Sequence, residues 1–370
     1  MFRLRRYIYL GIIPLLLACS LPGMVQDTEL PKVRSALQAM IVVAPEDATA
    51  TATPFQPMPP TSTYLPTLFP TPTSPATPTP VPTEPPSIRE GEAKTWNDYP
   101  GPVIWPDIIM PPPVGILPQP ANQLNILVLG SDQRPYTGGF RTDTILLVTI
   151  NPDTGGVNIT SFPRDLYVYI PGWTVHKINT AFGNGGFESL ALTMEYNFGV
   201  RPDYYLLINF WSFVEFIDHL GGLHVNVGRD FCDHRDDYGD YCVHMGDTYM
   251  DGETALWYVR ARYSTSDFDR GRRQQEVLQA GFDKFLNLNW LTRVPDLYET
   301  YRENVETNIS LDVILPMLPV ALKVKDSGEI NHYYIGTKQV QPWLNTYGSQ
   351  VLIPIREAVL EVMEQALNTP

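Results

Sequence analysis

Arginines and aspartates gathered in three segments are the residues of this chain whose types and spacing suit chemistry on an anion. Five arginines, Arg260, Arg262, Arg270, Arg272 and Arg273, stand close together in a chain whose formal net charge is -14. Two segments upstream carry more: Gly130 to Thr144, reading GSDQRPYTGGFRTDT, and Ser161 to Asp165, reading SFPRD. A guanidinium offers a rigid fork of donors that matches phosphate oxygens two at a time. Against an acidic background such density implies a local anion site and argues against a general attraction to polyanions. The competing account makes these arginines surface ion pairs with Asp267, Asp269 and Glu276. Helical periodicity weighs between the two. Arg270, Arg273, Gln274 and Val277 share one helical face, and Val277, Leu278, Phe285 and Leu286 carry the helix inward. The arginine end of that helix therefore points into the fold, where free N-terminal amides add to an anion site. Arg260 and Arg262, two apart, read as neighbours on one side of a strand. A buried cluster of one sign is costly without a counter-anion, which favours the ligand site.

Asp132 and Asp143 add a second component. Asp132 ends one apolar run and Asp143 begins the next. If these runs pair as antiparallel strands, the loop between them sets the two carboxylates side by side. An oxygen-preferring cation such as Mg2+ relieves the repulsion of such a pair. Arg134 and Arg141 occupy the same loop, so it offers a cation site and anion-binding forks together, as a pyrophosphate requires. Aspartates also bond the amides of their own turns, and that use of Asp132 and Asp143 needs no metal.

The elements that must position these groups follow from pattern. Leu124 to Leu129, Thr144 to Ile150 and Val157 to Ser161 are short apolar runs, and the turn residues Asn151 to Gly156 part the last two. They read as neighbouring strands. Phe187 to Phe198 reads as a helix, Tyr204 to Phe210 as a strand, Trp211 to Leu220 as a helix closed by Gly221 and Gly222, and Leu223 to Val227 as a strand. Phe210, Trp211, Phe213 and Phe216 read as core. Asp251 caps a short helix reaching Trp257, and Asp269 to Leu288 is the clearest long helix. Beyond it, Trp290 to Asp326 reads as helical, Tyr333 to Gln341 as strand and Pro354 to Leu367 as a closing helix. Strands mixed with helices predict an α/β protein, a three-layer α/β/α sandwich around a central mixed sheet. The domain falls at 122–290, with 291–370 an extension packed on it.

The N-terminal part speaks to compartment. Arg3, Arg5 and Arg6 precede an apolar run, Tyr7 to Ala18, too short for the ~20 residues of a membrane-crossing helix. It reads as a secretory signal over 1–19. Leu16-Leu17-Ala18-Cys19 resembles a bacterial lipobox, which would make Cys19 a lipidated N-terminus. Cleavage without lipid and an uncleaved anchor are the alternatives, and all three place the remainder outside the cytoplasm. Residues 20–121 read as a Pro/Thr-rich disordered linker, with 13 of the 36 prolines between Thr51 and Glu90. Its last part, Ser87 to Pro120, is either more linker or an arm packed on the domain. Cys232 and Cys242 bracket a polar segment and can form a disulfide outside the cytoplasm. A metal site from Cys232, His234, Cys242 and His244 is the alternative. Export, acidity and the lack of a basic recognition helix exclude a nucleic-acid partner.

The segments NILVLGSDQR, FRTDTILLVTINPDTGGVNITSFPRDLYVYIPG, KINTAFGNGG, HLGGLHVNV, DGETALWYVRAR and DFDRGRRQQ follow in order. Together they resemble the LytR-CpsA-Psr family of cell-wall assembly enzymes over about Asn125 to Leu286. The resemblance implies an extracytoplasmic α/β/α enzyme that transfers a phosphoglycan, such as teichoic acid or capsule, from a polyprenyl-pyrophosphate carrier to peptidoglycan. It implies that Asp132 and Asp143 hold Mg2+, that Arg141, Arg164, Arg260 and Arg262 grip phosphates, and that Arg270, Arg273 and Gln274 close the site. Asp165 matches the family's PRD aspartate. Asp269 stands where glycine is common. The family's polyprenyl chain occupies a hydrophobic tunnel. A hydrolase of the same lipid and a non-catalytic polyprenyl-phosphate-binding scaffold are the rival functions.

Overall fold

The computed structural model describes residues 88–133, 141–287, 305–327 and 330–368. The signal segment with Cys19, the proline tract, Arg134 and the stretch 288–304 lie outside the described residues. Among the described residues no helix is long and apolar enough to cross a membrane.

An arm comes first. Its strands β1 (Ile88–Arg89) and β2 (Gln119–Pro120) pair antiparallel, and the chain between them is pinned to the body. A proline-rich stretch has few amide donors, so its carbonyls seek partners elsewhere. Tyr169 and Tyr196 supply them, donating their hydroxyls to Pro100 O at 2.7 Å and Pro111 O at 2.6 Å. The buried Glu195 carboxylate accepts from Lys94 Nζ at 2.7 Å, Tyr99 OH at 3.0 Å and Arg201 Nη1 at 3.0 Å. Burial pushes that carboxyl up, but the three donors outweigh it and hold it below its ordinary range. The disordered linker therefore does not extend to 121. From residue 88 the chain is the packed arm.

The body is one layered unit. Strands β3 (Leu124–Ser131), β4 (Thr142–Ile150) and β5 (Val157–Ser161) form its centre, and β6 (Tyr167–Ile170) and β7 (Thr174–Lys177) make a separate hairpin. Helix α1 (Ala181–Phe198) follows. It breaks at Gly185 and Gly186, the latter at φ 65°, so the regular helix starts near Phe187 as its periodicity predicts. Next come β8 (Tyr204–Asn209) and α2 (Phe210–His219), which Asn209 caps by accepting from Ser212 N at 2.9 Å. Strands β9 (Leu223–Val227), β10 (Phe231–Arg235), β11 (Gly239–Val243) and β12 (Gly246–Met250) form two small antiparallel pairs, β9 with β12 and β10 with β11. Cys232 and Cys242 face each other across β10 and β11 and are joined by a disulfide. That bond removes the thiolates a metal site would need.

Helix α3 (Gly252–Arg260) starts at Asp251, whose side chain accepts from Thr254 N at 2.8 Å. The strand expected for Arg260 and Arg262 is not there. Ala255 and Tyr258 bury one face of α3 beside Val225 and Val277, and the helix carries Arg260 as its last residue. Long α4 (Asp267–Asn287) follows, and then β13 (Glu306–Thr307), α5 (Leu311–Ser327), β14 (Ile330–Tyr334), β15 (Val340–Leu344), β16 (Gln350–Pro354) and α6 (Arg356–Leu367). The helix expected from Trp290 is thus present from Leu311, and the expected strand from Tyr333 divides into β14 and β15.

The central sheet runs β13–β8–β3–β4–β5–β14. β3 with β8 and β5 with β14 are parallel, and the other pairs antiparallel. On one face Leu127, Leu129, Ile145 and Leu147 pack with Leu190, Met194 and Phe198 of α1 and Val359, Met363 and Leu367 of α6. On the other, Leu146, Val157 and Ile159 meet Val320 and Val324 of α5, with Leu278 and Phe282 of α4 alongside. This is the predicted α/β/α sandwich. The segment after 305 completes it, because β14 extends the sheet and α6 covers a face. Opening the disulfide loop with Cys232→Ser and Cys242→Ser together is expected to lower the unfolding free energy by about 2–3 kcal/mol, read from urea denaturation under oxidising conditions.

Candidate functional site

The register of the sheet brings the carboxyl ends of β3, β5, β8 and β14 and the start of β4 to one edge. Ligands of open α/β sheets bind at such an edge, where backbone groups leave the ladder. A small cleft opens there. Asp143, Ser161, Arg164, Asp267, Arg270 and Gln274 supply its polar lining, and Phe162, Pro163, Phe268, Tyr334 and Ile335 its apolar lining.

The two aspartates reach this edge in different ways. Ser131 pairs with Thr142 and Gly130 with Thr144, so Asp143 is the extra residue of a β-bulge, a feature that re-aims side chains. Its Oδ1 lies 2.8 Å from Arg164 Nη1 as an ion pair, in a geometry that leaves this buried oxygen without a hydrogen bond. Asp132 makes the turn-amide bond that aspartates favour, accepting from Arg141 N at 2.7 Å. Among the described residues no group of three or more His, Cys, Asp or Glu side chains could hold a metal unaided.

Arg164 is held by carboxylates on several sides. Burial lowers its guanidinium, but Asp143, Asp165 and Asp267 outweigh that and raise it above its ordinary value. Its Nε is buried without a hydrogen bond, 3.7 Å from Asp165 Oδ2. Asp165 also accepts from Lys177 Nζ at 2.7 Å, which brings a cation beside the site that residue-by-residue reading did not single out. The available signal was its place at the head of KINTAFGNGG.

The arginines of α4 separate. Arg270 is 5% exposed, pairs with Asp267 at 2.5 Å and lines the cleft. Burial first, then repulsion from Arg164 and Arg262, push its guanidinium below the ordinary value despite Asp267 and Asp143. It is a buried cation whose local carboxylates do not offset its burial. Arg273, expected beside it, is sealed away. It is 0% exposed, donates to Tyr258 O, Ala261 O and Asp269, and lies over the Phe231 ring at 4.0 Å. Three residues on a helix differ by about 60° in direction, enough to send one arginine to the cleft and the other under α3. Asp269 also pairs with Arg229 and Arg272, and Arg272 with Glu276. Arg272 is held by ion pairs, whereas Arg273 is a buried brace and no surface pair. Gln274 lines the cleft and donates to Val259 O at 3.4 Å.

The remaining predicted residues stand around the rim. Arg141 and Arg262 are exposed. Arg260 is exposed too, its guanidinium 4.0 Å over the Phe210 ring. Helix α4 seats tightly on β5, since a Cβ at Gly271 would come within 2.6 Å of Ser161 Oγ.

The model of the LytR_cpsA_psr family matches residues 110–366, more than half of the chain. The chain belongs to this family. It is 34% identical over 191 residues to TagU of Bacillus subtilis, a polyisoprenyl-teichoic acid–peptidoglycan teichoic acid transferase, a match covering 51% of this chain and 60% of TagU. Among solved structures it resembles TagV of Bacillus subtilis with a TM-score of 0.56 at 27% identity, covering 67% of this chain and 98% of TagV. It resembles TagT bound to LIIa-WTA with a TM-score of 0.54 at 27% identity, covering 66% of this chain and 90% of TagT. The family sandwich is therefore the fold of this chain.

Removing the Asp269 carboxylate would leave Arg273 buried without a carboxylate partner. Asp269→Ala is expected to cost about 3–5 kcal/mol of stability in urea denaturation. Burial raises the Asp269 carboxyl, but Arg229, Arg272 and Arg273 hold it below its ordinary value. Its contribution is thus present above about pH 4 and lost as pH falls through the depressed value. The Asp269→Asn variant should lack that part of the acid limb.

Proposed function

We propose that this protein is an extracytoplasmic phosphotransferase that moves a phosphoglycan from a polyprenyl-pyrophosphate carrier onto peptidoglycan. One observation carries the reading: the cleft at the sheet edge is lined by two arginines, the buried Arg270 and Arg164, together with Asp143 and Asp267. A pyrophosphate is an anion of the size and charge to complete such a pair. The name of the relative TagU and the glycolipid complex of TagT support the substrate class.

Arg164 and Arg270 bind the phosphates, with Arg141 and Arg262 approaching from the rim and Gln274 from α4, and Arg134, by its residue type, adds a further phosphate-binding fork. Asp165 holds Lys177 and Arg164 in position. Arg260 serves from the end of α3, and Arg273 braces that segment from beneath. Asp143 and Asp132, carboxylates on either side of one loop, would hold a Mg2+ ion. Bound there, the ion would draw charge from the phosphate oxygens. The acceptor hydroxyl attacks the glycan-side phosphorus and polyprenyl phosphate leaves. The arginines stabilise the charge that develops on the oxygens. Cys19, lipidated, would tether the domain to the membrane through the proline-rich spacer.

The test incubates the purified protein with a polyprenyl-pyrophosphate sugar and peptidoglycan fragments, with Mg2+ or EDTA, and identifies products by mass spectrometry. The expected product is glycan joined to peptidoglycan through a phosphodiester, lost in EDTA and in Asp143→Ala. Arg164→Ala and Arg270→Ala should each lower the rate by about 10²–10³-fold. Free phosphosugar without conjugate would mark a hydrolase, and intact bound lipid a carrier protein.

A further inference from the structure

The arm carries apolar side chains that stand in solvent and have no role in the scheme above. Trp105 is 81% exposed and Ile109 94%, with Val103 and Ile104 exposed beside them. The backbone beneath them is fixed. Val103 N and Ile104 N both donate to Trp173 O, at 2.9 and 3.0 Å. Ile108 and Met110 pack against the cluster of Tyr99, Tyr167 and Tyr169. Ile109 is therefore held outward between two anchored neighbours.

A second tip adjoins the first. Asp107 accepts from Tyr167 OH at 2.8 Å and from Thr346 Oγ1 at 2.9 Å, which ties the arm to the turn between β15 and β16. That turn carries Tyr347, 82% exposed, and the exposed Leu344 precedes it. Trp343 and Val351 of the same hairpin pack inward with Tyr167. Asp107 lies two residues from both Trp105 and Ile109, and Thr346 is next to Tyr347, so the two tips form one surface.

This surface is almost without charge. Asp107 is the only charged residue from Pro100 to Pro118, and there is none from Gln339 to Ile355, in a chain of net charge -14. An acidic chain repels anionic headgroups, and an uncharged patch is where it can meet them. Exposed apolar side chains gathered in one place mark a contact with a protein or a membrane. Two features favour lipid. The tips protrude, which suits a soft layer they can enter. Trp and Tyr settle at headgroup depth, where Trp105 Nε1 and Tyr347 OH can still reach water. The tether proposed at Cys19 holds the chain beside such a layer, and its spacer leads, in sequence, into this arm.

We propose that Trp105 and Ile109 of the arm, with Leu344 and Tyr347 of the β15–β16 hairpin, dock the domain on the extracytoplasmic membrane surface, entering its headgroup layer. This rests on the membrane-tethered reading. Docking limits the freedom that a long spacer leaves and turns one fixed face of the domain to the bilayer.

The test uses the full chain, lipidated at Cys19 and with its disulfide closed, in phosphatidylethanolamine–phosphatidylglycerol vesicles. A single nitroxide is placed through Ile109→Cys, Tyr347→Cys or, as a control on β12, Tyr249→Cys. Electron paramagnetic resonance reads collisions of the label with oxygen, which concentrates in lipid, and with a water-soluble nickel chelate. We expect the oxygen-to-nickel ratio at the arm and hairpin positions to exceed the control ratio several-fold. Adding Val103→Asp and Trp105→Asp should remove that excess from the hairpin label. Ratios equal to the control, in chain that floats with the vesicles, would overturn the docking and leave the tether standing. Protection from both reagents would show protein covering the tips, a second copy or the chain's own spacer, and would overturn the docking too. Failure of the full chain to float would overturn tether and docking together.

Discussion

Two arginines three residues apart on one helix are both buried, and the need to neutralise them organises this protein. A buried guanidinium without a counter-charge is too costly to keep. Arg273 finds its partners within the chain: Asp269, two backbone carbonyls and an aromatic face. Arg270 pairs with Asp267 at the cleft, and Arg164 beside it adds repulsion. The first arginine therefore ties α4 to the end of α3, while the second faces the cleft with Arg164, Asp143 and Asp267. Scaffold and site are the two outcomes of one electrostatic requirement.

That cleft lies where the sheet can supply it. Four strands end and one begins at the same edge, so polar side chains there escape the ladder. The bulge at Asp143 turns a carboxylate toward Arg164 at the point where regular pairing would have continued. The fold leaves Arg164 Nε buried and without a hydrogen bond, a state tolerated where a ligand completes the set. The arm is held by ordinary means. A buried glutamate and two tyrosine hydroxyls compensate for a proline-rich backbone that cannot satisfy itself.

Most elements were legible because they carry local signals. Apolar runs bounded by Asn151 to Gly156 made the β3–β4–β5 meander readable, and the 3.6-residue period found α4 and the regular part of α1. Local signals failed where packing decided. Arg260 and Arg262 alternate as in a strand, yet Ala255 and Tyr258 have a core to fill and draw their segment into a helix. The arm reads as linker because its proline content hides the long-range hydrogen bonds that order it.

Sequence alone determined the chemistry on offer: arginine forks, two aspartates flanking a loop, a cysteine pair and the order of motifs that marks the family. Residue type and spacing carry that information, since they set charge, donor geometry and periodicity. Tertiary structure alone decided which of these groups meet. Arg270 and Arg273 share a helical face in projection, but the neighbours of α4 differ across about 60° of its surface. Asp269 reads as an addition to the site, and only the approach of Arg229 and Arg273 makes it a brace. Lys177 gains Asp165 as its partner only when β6 and β7 pair. Such contacts join residues far apart in the chain, and no local pattern encodes them.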